Sequence, residues 1–252
     1  MHRNIKSLIG YSIRATDGEI GEVEEFYFDD NTWDIRYLIV KTGTWLFGRS
    51  VLIAPVALQS IDWGREDFLA NITKHQISNS PDTDFHKPVS HQHEIALYEH
   101  YTWQPYWSSE FYAGGQWSVM PAAPLFDERI AKDNENAPVQ KENNRVHLRS
   151  TERIAGYHIH ASDGEIGHVN DFIIDDESWK VISIVVDTNN WIGGKKVMLS
   201  VQHIKEISWE KSQVMTDLSK VAVKAGELFV YANYDLPANA SVPRQRVDEG
   251  IL

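Results

Sequence analysis

Two carboxylates set two residues apart, Asp17 and Glu19, return as Asp163 and Glu165. Such a pair could work as general acid and base. Their neighbours argue otherwise. Each Asp precedes a Gly inside "TDGEIG" (16–21) or "SDGEIG" (162–167) and is flanked by apolar runs. Asp tolerates and hydrogen-bonds turn backbone, and Gly reaches positive φ without steric cost. Asp17, Gly18, Gly21, Asp163, Gly164 and Gly167 are therefore expected to be structural turn residues. Asp29–Asp30 and Asp175–Asp176 offer oxygens to a hard cation, but no EF-hand spacing surrounds them. Glu22, Glu24 and Glu25 also become His168, Asn170 and Asp171 in the second occurrence, so a turn with a solvated acidic face is expected. His86, His91, His93 and His100 invite a zinc reading. On a helix, residues two apart diverge by about 200°, so His91 and His93 would not share a face. Whether this segment binds metal stays open. With no Cys there is no thiolate nucleophile, disulfide or cysteine-ligated metal, and no phosphate loop or Ser-His-Asp signature occurs. No catalytic, cofactor-binding or metal residue is assigned, no cofactor is expected, and the chain is read as a non-enzyme.

The elements that would position these residues come twice. Aligning Gly10 with Gly156 gives an offset of 146 that holds without a gap to Lys74 and Lys220, with 22 identical pairs among 65. That is an internal duplication. Three Trp pairs keep the offset: Trp33/Trp179, Trp45/Trp191 and Trp63/Trp209. In each copy a strand at Tyr11–Ala15 or its equivalent meets a strand at Val23–Phe28 through the Asp-Gly turn. Val23 and Phe26 break strict alternation, as do Val169 and Phe172, which predicts a β-bulge in both copies. The runs "WDIRYLIVKTG" and "WKVISIVVDTN" are apolar on both parities in part, as in a strand covered on both faces. About five short strands per copy predict an all-β chain of two tandem, small antiparallel barrels of about 70–80 residues each.

After Lys74 the copies diverge. Ser90 to Trp103 is the best helix candidate, with Ser90 as N-cap and Ile95, Leu97, Tyr98 and Tyr101 on one side. An aromatic tail runs on to Trp117. Tyr98, Tyr101, Trp103, Tyr106 and Trp107 are candidate partner-binding residues, since Trp and Tyr dominate binding hot spots. The alternative is that this segment caps its own barrel or packs on the sister copy. "YANYDLP" (231–237) resembles "YEHYTWQP" (98–105). The expected organisation is a first barrel with its helical, aromatic extension at 1–112, a polar linker at 113–148, a second barrel at 149–237 and a mobile tail at 238–252.

The formal charge is −12 at pH 7. Residues 8–74 carry six basic and eleven acidic side chains, and residues 154–220 carry six and ten. Phosphate backbones and anionic lipids are repelled by such surfaces, and no Lys or Arg interleaves the aromatics from Tyr98 to Met120, so no nucleic acid is expected as partner. No secretory h-region or apolar run of transmembrane length is present, and a cytoplasmic location is expected.

Gly10–Ile13, "DGEIG", Val23, Phe26, "DD", Trp33, the apolar strand ending at Val40, "TGTWL" (42–46), Gly48–Arg49 and "VLIAP" (51–55) resemble the PRC-barrel family, named for a domain of the photosynthetic reaction-centre H subunit. The extension with Ser80, Pro81, Asp84, Pro88, Val89, Glu94 and Leu97–Trp107 looks like the tail of bacterial stand-alone members. The resemblance covers about residues 5–107 and 150–235. The second copy departs from the pattern at 189–196 and at Val201, which stands where Pro55 would be. The resemblance implies a six-stranded barrel used as an interaction module, without catalytic residues. The partner would be another protein or a second copy, as a pseudo-twofold barrel pair or homodimer. Two alternatives come from the family alone: an RNA- or ribosome-associated factor, and a reaction-centre-related electron-transfer accessory.

Overall fold

The computed structural model describes residues 1–85, 89–107, 148–188, 195–231 and 234. The expected linker up to residue 147, the tail 238–252, Trp191, the rest of the divergent stretch 189–194 and His86 lie outside the described residues. The elements run β1 His2–Asn4, α1 Ile5–Leu8, β2 Ser12–Ala15, β3 Gly18–Asp29, β4 Ile35–Thr42, β5 Ser50–Ile53, β6 Leu58–Asp62, β7 Asp67–Ala70, α2 Lys74–Ser78 and α3 His91–Tyr101. The second copy supplies β8 Leu148–Ser150, α4 Thr151–Ile154, β9 His158–Ala161, β10 Gly164–Asp175, β11 Lys180–Asp187, β12 Lys196–Ser200, β13 Ile204–Ser208, β14 Gln213–Thr216 and α5 Lys220–Lys224. Two like sheets result, ordered β5-β4-β3-β2-β7-β6 and β12-β11-β10-β9-β14-β13. All ladders are antiparallel except β2–β7 and β9–β14, which run parallel. The described residues of both barrels fall in one compact unit, and those from 84 to 107 fall in a second.

The long strand β3 explains the broken alternation. Its ladder with β4 shifts register between Val23 and Glu25, and β10 shifts against β11 between Val169 and Asp171. One extra residue, Glu24 or Asn170, reverses the parity, so that Val23 and Phe26, and Val169 and Phe172, all point inward and are buried. Along β4, Tyr37, Leu38, Ile39 and Val40 are all buried, as expected of a strand covered on both faces. In the second copy the covering is visible: Phe229 and Tyr234 pack with Ile173 and Val185, while Leu228 bridges Val197 on β12.

Each sheet has seven strands, one more than the resemblance implies, because the seventh comes from the other copy. β1, the N-terminal arm, pairs with β10 at His2↔Asp175 through Asn4↔Ile173. Its counterpart β8 pairs with β3 at Leu148↔Asp29 through Ser150↔Tyr27. The exchange is reciprocal, related by the same 146-residue offset. Arg3 packs on Trp63 of its own copy, 4.0 Å from the ring centroid, and reaches Asp176 of the other at 3.3 Å. Arg149 repeats this with Trp209 and Asp30, at 5.8 and 2.5 Å.

The seam also takes both Trp33 and Trp179, whose φ of 64° and 55° is rare for bulky side chains. Their strain, about 1–2 kcal/mol each, is offset across the seam. The Trp179 carbonyl accepts from Ile35 N and the Trp33 carbonyl from Val181 N, both at 2.7 Å. The Trp179 ring lies 6.4 Å from Phe26 and 6.0 Å from Phe68, and Phe28 meets Phe172 at 5.5 Å.

At Gly21 an added Cβ would sit 1.9 Å from the Lys41 carbonyl oxygen, and at Gly167 one would sit 2.1 Å from that of Asp187. These are backbone atoms of the neighbouring strand, which cannot step aside. Gly21→Ala and Gly167→Ala are each expected to cost roughly 2–4 kcal/mol in chemical denaturation. Gly10→Ala, with a φ of 87° but nothing within 4 Å, should cost only the left-handed penalty of about 1–2 kcal/mol.

Candidate functional site

The candidate partner-binding aromatics gather around α3. The Ser90 hydroxyl accepts from His93 N at 3.2 Å to start this helix. At its end Thr102 turns left-handed, φ 58°, and Trp103 N donates to the Tyr98 carbonyl at 2.9 Å. That reversal folds the following residues back on the helix. Trp103 stacks on Tyr101 with ring centroids 4.2 Å apart, and Trp107 meets Tyr98 at 4.9 Å. The Tyr106 hydroxyl donates to the buried Glu94 carboxylate at 3.0 Å. Tyr98 and Tyr101 are buried and form the base of the cluster, whereas Trp103, Tyr106 and Trp107 are half-buried. Ile95, expected on the same side as Leu97, is 37% exposed. With Tyr98, Trp103, Pro105 and Trp107 it lines a shallow groove of about 570 Å³, apolar in character and sized for one or two apolar side chains of a polypeptide. Two of the histidines pack on aromatic rings: His91 lies against Trp107 and His100 against Tyr101. Among the described residues no three His, Asp or Glu side chains come together as a metal-holding group.

The acidic motifs are occupied. The hairpin loop is Thr16–Asp17, with Gly18 already paired opposite Ala15, one residue earlier than a turn centred on Asp-Gly. The Asp17 carboxylate accepts from Lys74 N at 2.9 Å, and Asp163 accepts from Lys220 N at 2.7 Å, so each Asp holds the first turn of the short helix that follows its barrel. Gly164 likewise opens its strand opposite Ala161. In the Asp-Asp pairs the first member makes the turn: Asp29 accepts from Asn31 N and Thr32 N, and Asp175 from Glu177 N and Ser178 N. Those backbone donors, Ser178 first, hold the Asp175 carboxyl below its usual range. The second member is not solvated as expected. Asp30 and Asp176 are the largely buried receivers of the exchanged Arg149 and Arg3. A sequence signal for this existed, since Arg3/Arg149 keep the offset of Asp30/Asp176.

Two more seam carboxylates meet the arms. Asn4 Nδ2 donates to Asp171 at 3.1 Å, together with Lys6 N and Phe172 N. At the equivalent place Ser150 Oγ donates to Glu25. Burial raises the pKa of both acids above the usual carboxylate range, despite these donors. Burial also pushes Tyr27, beside Glu25, up to about 12.

A model of the PRC-barrel domain matches residues 2–77 and 154–223. The matched segments are the two barrels, and the α3 cluster lies outside them. No curated protein matches the chain. No helix among the described residues is long and apolar enough to cross a membrane.

Because folding raises the pKa of Glu25 and Asp171, the native state binds more protons than the unfolded chain between the ordinary carboxylate range, about 4, and their raised values. Stability should therefore fall as pH rises through that window. Glu25→Gln keeps an acceptor for Ser150 and removes the ionisation. Its melting temperature should exceed the wild type's at pH 8 and converge on it near pH 4.5. A wild type–variant difference independent of pH would contradict this assignment.

Proposed function

Because the chain belongs to the PRC-barrel family, with two copies of the domain in one polypeptide, we propose that it is a non-enzymatic protein-interaction or scaffold module whose contact point is the aromatic groove of α3. PRC-barrel domains are generally non-catalytic and often mediate protein interactions. The observation that carries the reading is Trp103 and Trp107 flanking Pro105, held half-exposed over the buried Tyr98 and Tyr101. Large aromatics fixed in place before binding lose little entropy on association and are the residue types that concentrate binding energy. The partner suited to this groove is a polypeptide presenting a short apolar or proline-containing stretch. The carboxylates of both barrels oppose the RNA-associated alternative, and the electron-transfer alternative rests on the family name alone.

In affinity capture with the full chain as bait, proteins recovered by the wild type should be lost by Trp103→Ala/Trp107→Ala. For a purified partner the expected loss is about 30-fold or more in Kd, with the barrels' melting temperature kept. Equal recovery by variant and wild type would refute this site.

A further inference from the structure

Along the seam between the barrels lie two adjoining hollows, of about 640 and 240 Å³, that share Ile9, Glu24, Glu25 and Glu152 in their walls. Apolar side chains that follow the exchanged arms form the floor: Ile5, which is buried, and Ile9 and Ala155, which are exposed, Ile9 to 41%. Glu19, Glu22 and Glu152 stand exposed on the walls, and among the described residues none has an ion-pair partner. Two cations also line the hollows, Lys41, which is paired with Glu24 at 3.2 Å, and Lys6. Beside the floor, Asn4 is 1% exposed and gives its N–H to Asp171, while its Oδ1 finds no donor among the described residues.

The duplication separates what the barrel needs from what it does not. Gly21/Gly167, Arg3/Arg149 and Asp30/Asp176 recur because both copies must close and exchange arms. Glu19 recurs as Glu165, but the other wall acids do not: Glu22, Glu24 and Glu152 correspond to His168, Asn170 and Lys6. The second copy builds the same sheet without them, so neither the sheet nor the exchange requires them. Carboxylates without partners over an exposed apolar floor complement one chemistry, a chain segment bearing both cations and apolar side chains.

We propose that this seam groove is a docking site for a cationic, amphipathic polypeptide segment, whose Lys and Arg meet Glu19, Glu22 and Glu152 while its apolar side chains rest on Ile9 and Ala155. The site shares no residue with the α3 groove, and either proposal can fail without the other. The sign of the charge disfavours nucleic acid and anionic lipid at this place.

The test uses the full-length protein and a fluorescein-labelled peptide of repeated Lys-Leu-Arg units, read by fluorescence anisotropy at low and at physiological salt. Saturable binding is expected. Glu22→Lys/Glu152→Lys should weaken it by about tenfold or more, and Ile9→Ser by several-fold. Glu206→Lys/Glu210→Lys makes the same charge change at exposed positions outside the groove and should leave Kd nearly unchanged. Trp103→Ala/Trp107→Ala should bind as the wild type does, which keeps this result apart from the α3 reading. Absence of binding, equal loss in the Glu206/Glu210 control, or an Ile9→Ser variant indistinguishable from wild type would each overturn the proposal, the last two by reducing it to diffuse charge attraction.

Discussion

An arm of three residues from each repeat finishes the sheet of the other, and the remaining features of the barrel pair follow from that exchange. β1 and β8 cover strand positions that would otherwise leave backbone donors and acceptors of β10 and β3 open to pairing with other chains. The arms are anchored by charge in a mostly dry place: the side chains of Arg3 and Asp176 are 5% and 8% exposed. A buried pair of this kind contributes little net attraction beyond its desolvation, but losing one partner strands the other, at a cost of about 3–5 kcal/mol. The pair therefore acts chiefly as a register device. It fixes which edge each arm joins, and with it the place of Trp33 and Trp179, whose left-handed backbone is tolerated because the opposite copy hydrogen-bonds their carbonyls.

That constraint explains why the repeated residues are the ones they are. Gly21 and Gly167 admit the close approach of a neighbouring strand, Asp17 and Asp163 tie the first hairpin to the helix after the barrel, and Asp30 and Asp176 receive the partner's arginine. Each of these carboxylates has a structural partner. The copies part company where the fold makes no demand, in the acidic wall of the seam groove and in the segment after Lys74 that becomes α3 with its aromatic cluster.

Much of this was legible in the sequence. The duplication, the strands, the bulge after Val23 and the Ser90 cap of α3 all depend on local chemistry or on periodicity, which a single chain displays directly. The exchange was not legible by those means. Three residues are too short for a strand pattern, and pairing of His2–Asn4 with a strand some 170 positions later is a long-range relation that alternation does not encode. For the same reason Asp30 looked like a solvated turn residue although Arg149 largely covers its carboxylate. At the candidate site, residue types marked the whole aromatic run, but only the left-handed turn at Thr102 sorts it into buried Tyr98 and Tyr101 and half-exposed Trp103 and Trp107. The wall acids read as a solvated face because the hollow beneath them exists only once the arms have crossed.

The exchange can be tested directly by covalent trapping in a chain that has no native Cys. His2→Cys combined with Asp175→Cys places a thiol on β1 opposite one on β10, at paired positions of the ladder. Under mild oxidation at low protein concentration, this account predicts a disulfide within one chain, seen by mass spectrometry as a monomer joining the N-terminal peptide to the one spanning residue 175. Thiols that stay reduced, or a bond that forms only between chains, would contradict it.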